Sequence, residues 1–340
     1  MTGLRFLAAL AVFANHAGDA FLDPENPVNG TAQTGFAGVS FFFVLSGFVL
    51  TWSARPGDRP AAFYRRRVAR IVPNHAVAWL LALVVLLAAG HSVGLVPAVL
   101  SLTLLQSWHP SPDVHFAVNA VAWTLAVEAF FYATFPFLLP VLAHFGQRWR
   151  RALMGLSVSG TLLAAGAGYA AAPAARHWLV YVFPVARLPE FVLGILLALE
   201  VRAGATGRFR LAPALALAVA VWLACRAVPP AFQVAAVTLV PFALLIVAAA
   251  QADIAGRRSF ARHRALVRLG EWSFAFYLLH AMVLEVADGA VDLRGRGPAF
   301  IVAGILTLLA VSVAASATLF STVERPMERR LRAPRAMSTS

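Results

Sequence analysis

No lysine occurs among the 340 residues, cysteine occurs once, and charged residues of both signs make up only 13% of the chain. Each scarcity excludes a class of protein. A lone Cys225 in an apolar run rules out an intramolecular disulfide, a CxxC redox pair and a cysteine metal cluster. So little charge beside 60% hydrophobic residues and a mean hydropathy of +0.76 rules out an ordinary soluble domain. A positively charged leader with a small-residue cleavage site is also missing, so the first apolar segment reads as a retained signal anchor. There is no internal repeat and no hydrophilic stretch long enough to form a second domain.

What remains is arginine and apolar residues. All 28 basic residues are arginine, and the net charge is +13. In a soluble chain that balance would point to nucleic acid, but here the positions of the charges matter more than their sum. Apolar runs of membrane-crossing length fall near 4–21, 36–54, 72–90, 119–143, 152–172, 178–200, 211–229, 231–250, 266–286 and 298–322. Arginines crowd every second connection: residues 55–70 between the second and third runs, 148–151, 202–210, 257–268, and 325–335 after the last. Such alternation predicts an all-α, polytopic bundle of about ten transmembrane helices with both termini cytoplasmic. Residues 1–326 form the membrane domain and 327–340 a basic cytoplasmic tail. Segment 93–108 is short and contains Pro97, so it reads as an outer-face or re-entrant element.

Ionisable groups inside the apolar runs are few and therefore informative, because each is expensive in hydrocarbon. Arg5 and His16 are the only two in LRFLAALAVFANH. Eleven residues apart at about 100° each, they share one helix face and lie roughly 16 Å apart along it. Glu128 sits in NAVAWTLAVEAFFY. Arg187 and Glu190 stand at i and i+3 in ARLPEF, where mutual neutralisation is the default reading. Tyr277 and His280 have the same spacing in FAFYLLH, and a core or a functional histidine fits equally well. In FYRRRVARIVP, Arg67 and Arg70 are neighbours on a helix surface. A role in topology or at lipid headgroups explains most loop arginines, but this pair could also grip a phosphate through forked guanidiniums.

The opening TGLRFLAALAVFANH resembles the first motif of the acyltransferase-3 family of integral membrane acyltransferases. SFFFVLSGFVL, RVARIVP with its RxxR, WTLAVE, RLPEFVLG, FAFYLLH and the closing ERP follow in family order across nearly the whole chain. The resemblance implies O-acyl transfer, commonly of acetyl, from a cytoplasmic acyl-coenzyme A to a hydroxyl on a carbohydrate, lipid or secondary metabolite. It also implies a form without the extracytoplasmic hydrolase-like domain that some members append. His16 is then the candidate general base, Arg5 a donor-channel residue, and Arg67 with Arg70 the candidates for the coenzyme phosphates. Glu128 would orient His16 or hold the acceptor hydroxyl, and Tyr277 or His280 would polarise the thioester carbonyl; Arg187 and Glu190 support the site. Asp19, three residues after His16, could orient its ring or simply be solvated. Acyl-coenzyme A is expected as co-substrate, with no permanently bound cofactor, no metal and no nucleic acid. Membrane lipid is the other partner, in a bacterial plasma membrane. A polytopic transporter or flippase with protonatable residues is the alternative class.

Overall fold

In hydrocarbon every backbone N–H and C=O must be paired within the chain, so apolar segments of this kind fold as helices. The computed structural model describes residues 1–332 apart from Pro24, Pro56, Ala205 and Thr206, and all regular elements among the described residues are helical. From residue 333 onward the expected basic tail lies outside the described residues. Ten main helices overlap the ten apolar runs one for one: α1 (Thr2–Phe21), α2 (Gly38–Ser53), α3 (Pro60–Ala88), α4 (Trp123–His144), α5 (Gln147–Ala170), α6 (Pro184–Arg202), α7 (Leu211–Ala224), α8 (Leu239–Ile254), α9 (Arg264–Ala290) and α10 (Pro298–Leu319). A π turn, Phe320–Glu324, leads from α10 into α11 (Arg325–Arg332).

Seven helical stretches, those containing α2 to α6, α9 and α10, are long and apolar enough to cross a bilayer. The other three fall outside that set for physical reasons. The 14 residues of α7 and 16 of α8 rise only about 21 and 24 Å, short of a hydrocarbon core of about 30 Å. Helix α1 has the length, but Arg5, His16 and Asp19 reduce its apolarity. Segment 93–108 contains the eight-residue helix Leu95–Leu102, about 12 Å long and far short of a crossing. His75 of α3 holds it, with Nε2 3.1 Å from the Ser101 carbonyl and 3.2 Å from that of Leu102.

The arginine-rich connections gather at one end of the bundle. There the amino terminus meets Asp253 at the end of α8 at 2.6 Å, and Arg150 at the start of α5 meets Glu200 near the end of α6 at 2.7 Å. Arg202, closing α6, donates to the Trp52 carbonyl of α2 at 2.6 Å. Helices α2 and α6 cross closely at two glycines: a Cβ on Gly47 would strike the Phe191 carbonyl, and one on Gly194 the Val44 carbonyl. Small residues permit that approach, and close packing replaces the hydrophobic drive that is absent between helices in lipid. Beside the crossing, Phe131 stacks on Phe191 at 4.6 Å and meets Phe43 edge-on at 5.2 Å.

Arg187 and Glu190 lie in this packed centre, 2.6 Å apart and at most 1% exposed. Arg187 also donates to Ser40 Oγ at 2.9 Å and to the Tyr181 carbonyl at 3.3 Å, with its guanidinium 5.0 Å from the Phe43 ring centroid. Removing one partner of such a pair leaves an uncompensated charge, at a cost of about 3–5 kcal/mol. Glu190→Leu should therefore lower the melting temperature in detergent sharply, while Arg187→Met with Glu190→Leu should recover most of the loss. A single variant that melts like the wild type would contradict the pairing.

Candidate functional site

Five helices line a cavity of about 120 Å³ that is partly open to the surface, and its polar lining comes from residues far apart in the chain. Arg5 enters from the first turns of α1, and Arg67 and Arg70 from the arginine-rich part of α3. Glu128 and Tyr132, one turn apart on α4, face it together, and the Tyr132 hydroxyl donates to Glu128 Oε2 at 3.2 Å. Ser273 and Tyr277 from α9, Thr124 from α4 and Ser46 from α2 complete the polar wall, while Phe42, Phe43 and Leu50 of α2 supply an apolar one. Three guanidiniums and one carboxylate, that of Glu128, line the cavity, with Glu328 close to Arg70 beside it. The apolar wall gives the same space room for an uncharged chain.

The arginines are held in distinct ways. Arg67 lies over two rings, 5.7 Å from the Phe63 centroid and 5.9 Å from that of Tyr132. Arg70 is 3.9 Å from Glu328 of α11. Glu324, in the π turn, accepts from Asn74 Nδ2 of α3 at 2.7 Å and is 3% exposed. The acidic residues after α10 therefore fasten the C-terminal helix against the arginine-bearing turns of α3.

The histidines form a second group outside the cavity lining. His280 is fully buried on α9, and its ring is 5.3 Å from that of half-buried His16 on α1 at an interplanar angle of 64°. Tyr277 joins the two groups: it lines the cavity, and its ring is 5.7 Å from that of His280. The structure thus brings Arg5, Arg67, Arg70, Glu128 and Tyr277 together and sets His16 with His280 behind Tyr277. The hydrogen-bond partner of Glu128 is Tyr132, and the ring beside His16 is that of His280; of the two roles expected for Glu128, orienting His16 or holding the acceptor hydroxyl, its place in the cavity lining accords with the second. Asp19 is exposed and accepts from Asn15 Nδ2 at 2.8 Å and from Gln33 Nε2 at 3.3 Å. Arg187 and Glu190 belong to the core described above and do not line the cavity.

Sequence reasoning missed Tyr132, Asn74 and Glu324. The i+4 spacing from Glu128 could have indicated Tyr132, and Glu324 opens the ERP motif, but Asn74 carries no signal apart from its fold contact.

A family profile described as an acyltransferase domain matches residues 1–317. The chain belongs to the acyltransferase-3 family. It is accordingly an enzyme, an acyltransferase built as a multi-pass membrane protein. It is 39% identical over 368 aligned residues to acyltransferase MdmB of Streptomyces mycarofaciens, with 100% of this chain and 94% of that protein covered. Identity to the exopolysaccharide production protein ExoZ of Rhizobium meliloti is 31% over 325 residues, covering 88% of this chain and 92% of ExoZ. Nodulation protein 10 of Rhizobium leguminosarum bv. viciae is 32% identical over 177 residues, 44% of this chain and 45% of that protein. No solved structure matches the chain.

The clamp on α3 is open to test within this acyltransferase. Glu324→Ala leaves the buried Asn74 amide without its carboxylate and should cost about 1–3 kcal/mol, seen as a lower melting temperature and faster tryptic cleavage at Arg329 and Arg330. Glu324→Gln keeps an acceptor and should restore most of both. Unchanged cleavage in Glu324→Ala would show that α11 is held by other contacts.

Proposed function

We propose that this acyltransferase moves an acyl group, most simply acetyl, from acyl-coenzyme A to a hydroxyl of a carbohydrate, lipid or secondary metabolite. The observation that carries the reading is the convergence of Arg5, Arg67 and Arg70 from two helices on one cavity with a single lining carboxylate. Coenzyme A has the matching chemistry: phosphates at one end, then a long uncharged arm ending in the thioester. The arginine-rich end of the bundle is taken as cytoplasmic by the positive-inside rule, which is the side on which acyl-coenzyme A is found. Both termini then face the cytoplasm. The relatives named above come from Streptomyces and Rhizobium, which supports a bacterial plasma membrane. The name of ExoZ refers to exopolysaccharide production, which favours a carbohydrate among the acceptor classes.

In this reading Arg67 and Arg70 hold the phosphates through charge-assisted hydrogen bonds, and Arg5 guides the arm deeper. The Tyr277 hydroxyl, at the junction of cavity and histidines, donates to the thioester carbonyl as its oxygen gains charge. His16 accepts the proton of the acceptor hydroxyl as that oxygen attacks the carbonyl carbon. The C–S bond then breaks, and His16 returns the proton to the departing thiolate. Glu128 balances part of the arginine charge and fixes Tyr132.

His16→Ala should abolish transfer, by about a hundredfold or more, while insertion and melting remain normal; retained transfer would remove His16 from the role of base. Arg67→Gln with Arg70→Gln should raise the KM for acetyl-coenzyme A by about tenfold or more and leave the acceptor KM nearly unchanged. An unchanged donor KM would return both arginines to a purely topological role.

A further inference from the structure

His280 has an unusual set of neighbours for a core residue. Its Nδ1 lies 3.1 Å from the Phe276 carbonyl, and its ring stacks on that of Phe276 at 5.5 Å and 12°. Phe13 of α1 closes on it from the other side at 6.2 Å. A carbonyl can only accept, so Nδ1 carries the proton and donates, and Nε2 is left with its lone pair. That Nε2 is buried and has no hydrogen-bond partner among the described residues. Buried acceptors without donors are rare and destabilising.

Two polar rings stand against it, those of His16 and, at 5.7 Å, Tyr277. His16 approaches at 5.3 Å between centroids, and contacts of Phe6 and Phe13 with Phe276, at 5.4 and 5.8 Å, fix α1 and α9 around the pair. The His16 ring is half-buried, and among the described residues no side-chain hydrogen bond holds it. Rotation about its Cβ–Cγ bond therefore remains open. The other titratable groups near the pair are turned to different tasks: Asp19 is exposed and engaged by Asn15 and Gln33, and Tyr277 faces the cavity.

We propose that His280 is a positioning residue for His16, its Nε2 accepting an N–H from the His16 ring. This inference rests on the reading of His16 as the base. Donation to His280 leaves the other nitrogen of His16 unprotonated and directed to the acceptor hydroxyl. When His16 takes the hydroxyl proton it becomes an imidazolium with two N–H groups. The one toward His280 stays where it was, and the other passes to the leaving thiolate, so His280 ends unchanged. A carboxylate would orient the base more strongly, but at this depth it would bring a charge needing its own counter-ion. A neutral imidazole locked in one tautomer orients the base without that charge.

Two substitutions and one spectrum test the proposal. His280→Phe keeps a ring on Phe276 and removes the acceptor; His280→Gln removes the ring but keeps a carbonyl oxygen within reach of His16. In His280→Phe, kcat should fall on the order of tenfold to a hundredfold, with both KM values nearly unchanged, and His280→Gln should recover several-fold of that loss. A wild-type kcat in His280→Phe would overturn the proposal, as would failure of His280→Gln to exceed His280→Phe when both melt normally. If neither variant folds, ¹⁵N spectra of histidine-labelled wild type decide, with the His16 signals assigned by subtraction of His16→Gln. A single His16 tautomer supports the pairing, and a mixture of tautomers overturns it. An inactive His16→Ala beside a fully active His280→Phe removes only the positioning role, whereas an active His16→Ala removes the base as well.

Discussion

Arg187 and Glu190, 2.6 Å apart and shut away from solvent between α2 and α6, illustrate the constraint on which the rest of this structure depends. A charge within an apolar bundle must be neutralised by a partner or face a cavity. The bundle uses both solutions and separates them in space. Arg187 is paired, hydrogen-bonded and covered by aromatic rings beside the close α2–α6 crossing. Arg5, Arg67 and Arg70 line an open volume in which positive charge exceeds negative. The buried pair belongs to the packing, whereas the cavity-lining arginines are the ones that the proposed function assigns to an anionic donor.

Much of the fold was legible because hydrocarbon imposes length and apolarity on each helix separately. All ten apolar runs are helical, and Arg187 with Glu190 was recognisable as a pair because i and i+3 on one helix must be neighbours. Helix boundaries were less legible: α3 begins at Pro60, 12 residues before the apolar run, because its arginine-rich turns are helical without being apolar. The lengths of α7 and α8 were likewise misjudged, since residues 225–238 are apolar but break into short turns. The site was legible residue by residue and not as an arrangement. Arg5, Arg67, Arg70, Glu128 and Tyr277 each stood out as polar groups in or beside apolar sequence. That they share one cavity, while His16 turns toward His280, depends on how α1, α3, α4 and α9 pack. One sequence contains no direct signal of that packing.

The same packing gives the proposed reaction a direction. A cavity with its cationic groups near the arginine-rich end and its apolar wall along α2 matches a donor that is anionic at one end and uncharged along its arm. The tyrosine between cavity and histidines then stands where donor and acceptor would meet. The hydrogen bond between Asn74 and Glu324 ties the arginine-bearing turns of α3 to the segment that leads into α11.

A structure of the purified protein in lipid nanodiscs with a non-transferable thioether analogue of acetyl-coenzyme A would decide whether the cavity holds the donor. The account predicts density for the phosphates at Arg67 and Arg70, with the arm running past Arg5 and its acyl end beside Tyr277. An analogue bound elsewhere on the bundle, with the cavity filled by lipid or water at saturating concentration, would contradict it.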